Sequence, residues 1–283
     1  MIRSVIATFC IVSVFFSHFS SANTAAIPVQ IPRSYSLELQ DPGSKRFYSL
    51  FIQLPKSYSK SPLKQYPLVL VTDADYTFQL ISGVTQAPMH FGKMEEVILV
   101  GLSYSKNSGA QNSRIRDFTP STNTDWEYIT GEAPYHATFI KNTILPYAEK
   151  SYRLSERGHT FVGNSLGGLF GAYLLLSHPG SFDNYILGSP SVWYDKEMIL
   201  KLKAKSSTKL RKVFIAVGAF ENPINSNTHN DMVAGALKLY NKLKTEKGIE
   251  VDTKLLIIPE ANHGTAFPTT AIQGLDWIYK TNK

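Results

Sequence analysis

Six short stretches of this chain have no polar face: PLVLVT (67–72), EVILVGL (96–102), HTFVG (159–163), YILG (185–188), KVFIAVG (212–218) and TKLLIIP (253–259). A strand in a half-exposed sheet alternates apolar and polar residues, whereas unbroken runs rich in Val, Ile and Leu suit strands covered on both faces. Between and after them lie segments of helical period, at 134–150, 166–178, 196–204, 230–246 and 270–281. Within 231–243, Met232, Val233, Ala236, Leu237, Tyr240 and Leu243 share one stripe, with Lys238, Asn241 and Lys242 outside it. Strands that alternate with helices predict an α/β protein, a mostly parallel central sheet with helices on both faces. Upstream, YSLEL (35–39) and FYSLFIQLP (47–55) flank the turn sequence DPGS and predict an antiparallel N-terminal hairpin.

The first 22 residues follow other rules. Arg3 gives a positive start, VIATFCIVSVFF is an apolar run of 12, and SSA ends in a small-residue cleavage site. That pattern is a secretory signal peptide cut after Ala22, with Ala25 as the alternative. The run falls short of the roughly 20 apolar residues that span a bilayer, and no later segment reaches that length. The mature chain is therefore expected to be exported and unanchored, a single domain over 23–283. Cys10 is the only cysteine and lies in the signal, so the mature chain has no disulfide, thiol nucleophile or thiolate ligand.

The net charge of +7 comes from lysines spread along the chain, with a mild cluster at 201–212. Basic runs interleaved with aromatics, as nucleic-acid binding requires, are missing. So are H-E-x-x-H, Walker and G-x-G-x-x-G patterns, and no metal or organic cofactor is expected. Residues 103–133, rich in Ser, Asn, Thr and Asp, read as a long loop after a strand, on the edge where open α/β sheets bind ligands.

The chemistry concentrates in GHTFVGNSLGGLFGAYLL (157–174). Gly163, Ser165 and Gly167 form G-x-S-x-G between an apolar strand and a helical segment, which is the setting of a nucleophile elbow. A serine hydroxyl needs a base, and the base an orienting acid. In open-sheet hydrolases these follow in the order nucleophile, acid, base. Three histidines follow Ser165. His178 closes the elbow helix, His229 lies in a polar loop, and His263, directly after the last apolar run, is the expected base. Glu221, three residues beyond KVFIAVG, is the first candidate for the acid, and Asp231, a plausible helix cap, is the alternative. The oxyanion hole is expected to pair the Leu166 N–H with that of Asp75, in DADYTF after the first apolar run.

KRFYSLFIQLP, YPLVLVTDADYTF, VGLSY, RIRDFTP, LPYAEKSYRL, FVGNSLGGLFGAYLLLSHPGSFDNYILGSPSVWYD and ANHGTAF occur in that order between about 35 and 278. Together they resemble the putative-esterase (esterase D-like) family of α/β-hydrolases, in its siderophore-esterase-like branch. The resemblance implies the α/β-hydrolase fold, Ser165 as nucleophile, His263 as base and, less firmly, Glu221 as acid, since some siderophore esterases are described as Ser-His dyads. It implies a small-molecule ester substrate and a periplasmic location, with secretion from the cell as the alternative. RIRDFTP resembles a stretch lining the substrate mouth, so Arg114 and Arg116 are expected either to touch substrate or to bridge to Asp117. Trp193 is expected to stack on an aromatic substrate or to pack the lid. A ferric or iron-free siderophore trilactone is the sharpest substrate implied. The alternatives are a short-chain or acetyl-carbohydrate esterase, an acyltransferase, and a binding module for an anionic ligand.

Overall fold

The hydrophobic runs set the middle of the sheet. In the computed structural model, which describes residues 26, 28–226 and 229–281, β3 (Leu68–Thr72), β5 (Thr160–Asn164) and β6 (Asn184–Gly188) are buried at every position. Such strands need helices on both sides. The chain divides into two units, Met1–Gln30 and Ile31–Lys283. The few described residues of the first carry no regular element. The signal peptide read over 1–22, with Ala22 or Ala25 as its cleavage point, lies outside the described residues.

The second unit holds an eight-stranded sheet in the order β1-β2-β4-β3-β5-β6-β7-β8. Strands β1 (Ser34–Gln40) and β2 (Phe47–Gln53) form the antiparallel hairpin, in register Leu37 to Leu50. The DPGS turn between them is closed by Asp41, whose carboxylate accepts the N–H groups of Gly43 and Ser44. Strand β2 also runs antiparallel to β4 (Ile98–Ser105), and from β4 onward all pairings are parallel. The last two strands are β7 (Ser207–Gly218) and β8 (Ile249–Ile258). Sequence reading placed the last run inside the sheet, but β8 is an edge strand, buried only at Ile249 and Ile258.

Helices α1 (Ala74–His90) and α8 (Ala266–Tyr279) cover one face and pack against β4, β6, β7 and each other. The other face carries α2 (Ala110–Phe118), α3 (Ala133–Phe139), α4 (Leu145–Ser151), α5 (Leu166–Ser177), α6 (Tyr194–Lys201) and α7 (Met232–Thr245). One π-helical turn, Ile140–Ile144, joins α3 to α4. The apolar sides of β3, β5 and β7 divide between the two layers: Leu70, Phe161 and Ile215 face the layer that holds α5 and α7, while Val71, Val162 and Phe214 face that of α1 and α8.

Residues 103–133 are not loop throughout, because α2 lies within them. Its buried face combines Ile115 and Phe118 with Ser113, Arg116 and Asp117, and those polar members hide the helical period. Among the described residues no helix is long and apolar enough to cross a membrane.

Candidate active site

Ser165 sits between the end of β5 and the start of α5 with φ 58° and ψ −117°. A non-glycine residue there carries backbone strain on the order of 1–3 kcal/mol, and it persists only where the surroundings enforce it. Here they do. The Ser165 N–H donates to Gly188 O at 2.9 Å, and Ser165 O accepts from Leu169 N at 3.0 Å and Ser191 N at 3.1 Å. The sharp reversal brings helix onto strand so closely that a Cβ on Gly163 would stand 2.2 Å from Gly167 O. Glycine at position 163 follows from that approach.

Ser165 Oγ lies 3.3 Å from Ser191 Oγ and opens into a cavity of about 320 Å³ that His263 and Glu221 also line. His263, on the turn between β8 and α8, places Nδ1 2.6 Å from Glu221 Oε2. That contact occupies one ring nitrogen and leaves Nε2 as the nitrogen for a proton from the serine. Among the described residues no direct hydrogen bond joins Ser165 to His263, and catalytic contacts of this kind often tighten only with substrate bound.

Glu221 follows β7 by three residues and its side chain is 1% exposed. Its second oxygen accepts from Ser189 Oγ at 2.6 Å and from Gly218 N at 2.7 Å. Burial alone would push this carboxyl up, but the bonds from His263, Ser189 and the Gly218 N–H outweigh it and hold it below the ordinary glutamate value. Asp231 is occupied elsewhere: it caps α7, accepting from Ala234 N at 2.8 Å. His178 caps α5 through its backbone, and His229 is exposed.

Leu166 is the first residue of α5, where a backbone N–H has no partner within the helix. Asp75 lies in the first turn of α1, with its carboxylate bonded to the Ser103 hydroxyl. The two helix starts meet under the elbow: a Cβ on Gly167 would lie 2.7 Å from Thr72 Oγ1 and 3.3 Å from Asp73 Oδ2.

The two arginines behave differently from each other. Arg116 is buried, pairs with Asp117 through Nε at 2.8 Å and Nη2 at 3.0 Å, and lies 3.4 Å from Glu132. Arg114 makes no such bridge to Asp117. It reaches Asp73 Oδ1 at 2.8 Å and the Asn164 carbonyl at 3.1 Å, tying α2 to the residue before Ser165. Neither is among the residues lining the cavity. Trp193 does line it, and stacks on Trp126 with ring centroids 6.0 Å apart and planes at 27°.

Sequence reasoning missed Ser189, Ser191 and Trp126. SPS after YILG was the available signal for the serines, since it falls at the end of the strand beside the elbow strand. A wider groove of about 830 Å³ beside α1 and β2 holds none of these groups, so its size gives it no claim on the chemistry.

A mostly parallel sheet with a strained serine at the strand-to-helix turn and a histidine–carboxylate pair on later turns defines an α/β-hydrolase. The chain belongs to the family described as Putative esterase, whose model matches residues 43–247, more than half its length. It is 27% identical over 246 residues to the ferri-bacillibactin esterase BesA of Bacillus subtilis, covering 78% of this chain and 82% of that protein. It is 26% identical over 196 residues to the siderophore triacetylfusarinine C esterase of Aspergillus fumigatus, covering 66% and 65% respectively. Among solved structures, the BES protein from Bacillus cereus superposes with a TM-score of 0.76 at 27% identity, over 92% of this chain and 100% of that one.

Proposed function

We propose that this esterase is an exported serine hydrolase, a single catalytic domain over 23–283 that cleaves a siderophore ester through an acyl-enzyme. The observation that carries the mechanism is Ser165 at its strained turn sharing one cavity with the His263–Glu221 pair. Ser165 Oγ attacks the ester carbonyl carbon as its proton passes to His263 Nε2. The carbonyl oxygen, now negative, is held by the Leu166 N–H and a second N–H from the start of α1, Asp75 being the candidate. The intermediate collapses, and the alcohol leaves with the proton from His263. Water then attacks the acyl-enzyme, His263 takes its proton, and the acid departs as Ser165 regains its hydrogen. Glu221 keeps the imidazole oriented and balances the imidazolium. The siderophore assignment rests on the two curated relatives, each named for that substrate class.

The test compares residues 23–283 with the Ser165→Ala variant on 4-nitrophenyl esters, then on ferric and iron-free siderophore esters. We expect the variant to lose at least about 10³-fold in kcat with its fold intact, and a fluorophosphonate to label Ser165 in the parent. Equal rates in both proteins together with no labelling would remove the reading.

A further inference from the structure

We infer that the Ser165 cavity is built for esters without net charge whose acyl group is apolar or aromatic, and that it discriminates against polyanionic ones. This rests on the esterase reading and narrows its substrate class. Trp193, Phe220 and Met232 make the apolar part of the lining, and Ser191, Ser226, Asn230 and Asn262 join Ser165 in the uncharged polar part. No Lys or Arg is among the described residues that line the cavity, and its fixed negative charge is Glu221.

The cations closest by sequence expectation are committed elsewhere. Arg114 is spent on Asp73 and the Asn164 carbonyl, and Arg116 is buried on Asp117. Lys238 is paired with Glu197. The two lysines of β7 do not compensate. Lys209 and Lys212 lie on the first half of β7, whereas Glu221 follows its far end. At about 3.3 Å per residue the six residues from Lys212 to Gly218 span roughly 20 Å, beyond a Debye length of about 8 Å at physiological salt. An anionic acyl group would thus give up its hydration to meet apolar and uncharged walls beside a carboxylate.

The same charge count separates two kinds of ferric complex. Three hydroxamates, each monoanionic, exactly balance Fe³⁺ and give a neutral complex, whereas three dianionic catecholates leave a charge of −3. The cavity is therefore matched to the ester arm of the neutral kind, with Trp193, backed by Trp126, as its aromatic wall.

The experiment uses two near-isosteric 4-nitrophenyl esters, of 4-sulfamoylphenylacetic acid and 4-sulfophenylacetic acid, which differ by one charge. We expect kcat/KM to favour the sulfonamide by roughly 10-fold or more at low salt, and Met232→Lys to reduce that ratio. A neutral ferric trihydroxamate ester should likewise exceed a trianionic ferric tricatecholate trilactone. Turnover that depends on Ser165 but is equal for both aryl esters, or faster for the sulfonate, overturns this inference and leaves the esterase reading standing. If fluorophosphonate labels Ser165 but neither ester turns over, the labelling rates of matched neutral and sulfonated aryl phosphonates give the same ratio. No labelling and no turnover overturn both.

Discussion

Glu221 carries more of the site's organisation than its single contact with His263 suggests. Three donors converge on it, from His263, Ser189 and the Gly218 N–H, and each favours the ionised carboxyl. On the proposed mechanism, Glu221→Gln keeps the shape but removes the charge that balances the imidazolium, and with it the carboxylate oxygen that fixes the tautomer. We expect kcat to fall by roughly 10³–10⁴-fold. Ser189→Ala removes one donor and leaves the carboxylate on His263, so its loss should be at least 10-fold smaller, on the order of one charged hydrogen bond. Steady-state kinetics on one ester settles the order of the two, and an equal loss would show that Ser189 acts by something other than holding Glu221. Ser165, His263 and Glu221 could be chosen from the sequence because each follows an apolar run at the sheet's ligand-binding edge. Ser189 could not be assigned a role that way, since it acts only through Glu221, 32 residues later.

The strand β5, its turn and the helix α5 form the element on which the site depends, and their separation is set by glycine. A Cβ at position 163 would meet the backbone of Gly167, at 2.2 Å from O and 2.5 Å from C, and neither atom can rotate away. A Cβ at position 167 would meet chiefly the Thr72 hydroxyl at 2.7 Å, the end of a side chain that can turn. Gly163→Ala should therefore cost about 3 kcal/mol or more and Gly167→Ala about 1–2 kcal/mol, a difference of several degrees in Tm for a chain of this size. Thermal denaturation of the two variants checks it, and equal losses would mean that strand and helix are free to separate. This element was plain in the sequence because apolar strand, glycine spacing and helix are all local. Helix α2 was not. Its inner face buries Ser113, Arg116 and Asp117 beside Ile115 and Phe118, so the chain there reads as polar loop. The partner that gives Arg114 its place, Asp73, lies 41 residues upstream, and only the closed sheet brings the two together.

At the scale of the whole molecule, stability should fall steeply in acid. Asp41, Glu96, Glu221 and Glu246 are all held below their ordinary values: burial pushes each one up, but hydrogen bonds and neighbouring cations outweigh it. A carboxyl with a depressed folded pKa contributes stability above its unfolded pKa, about 4, and loses it as pH drops through the folded value. Asp73 works in the opposite sense, because complete burial raises it and protonation relieves that cost. Four groups against one set the direction, and the net charge of +7 grows as carboxylates are neutralised, adding self-repulsion. Glu221 is buried more deeply than the others, its side chain 1% exposed against 15% for Glu96 and 12% for Glu246, so it is screened least and should make the largest single contribution. The urea midpoint should then drop chiefly below about pH 4, as pH falls toward the depressed folded values. In Glu221→Gln the midpoint should start lower at pH 7, where the charged acceptor of three hydrogen bonds is gone, and fall less in acid. Parallel curves for the two proteins would show that the Glu221 charge does not hold the fold.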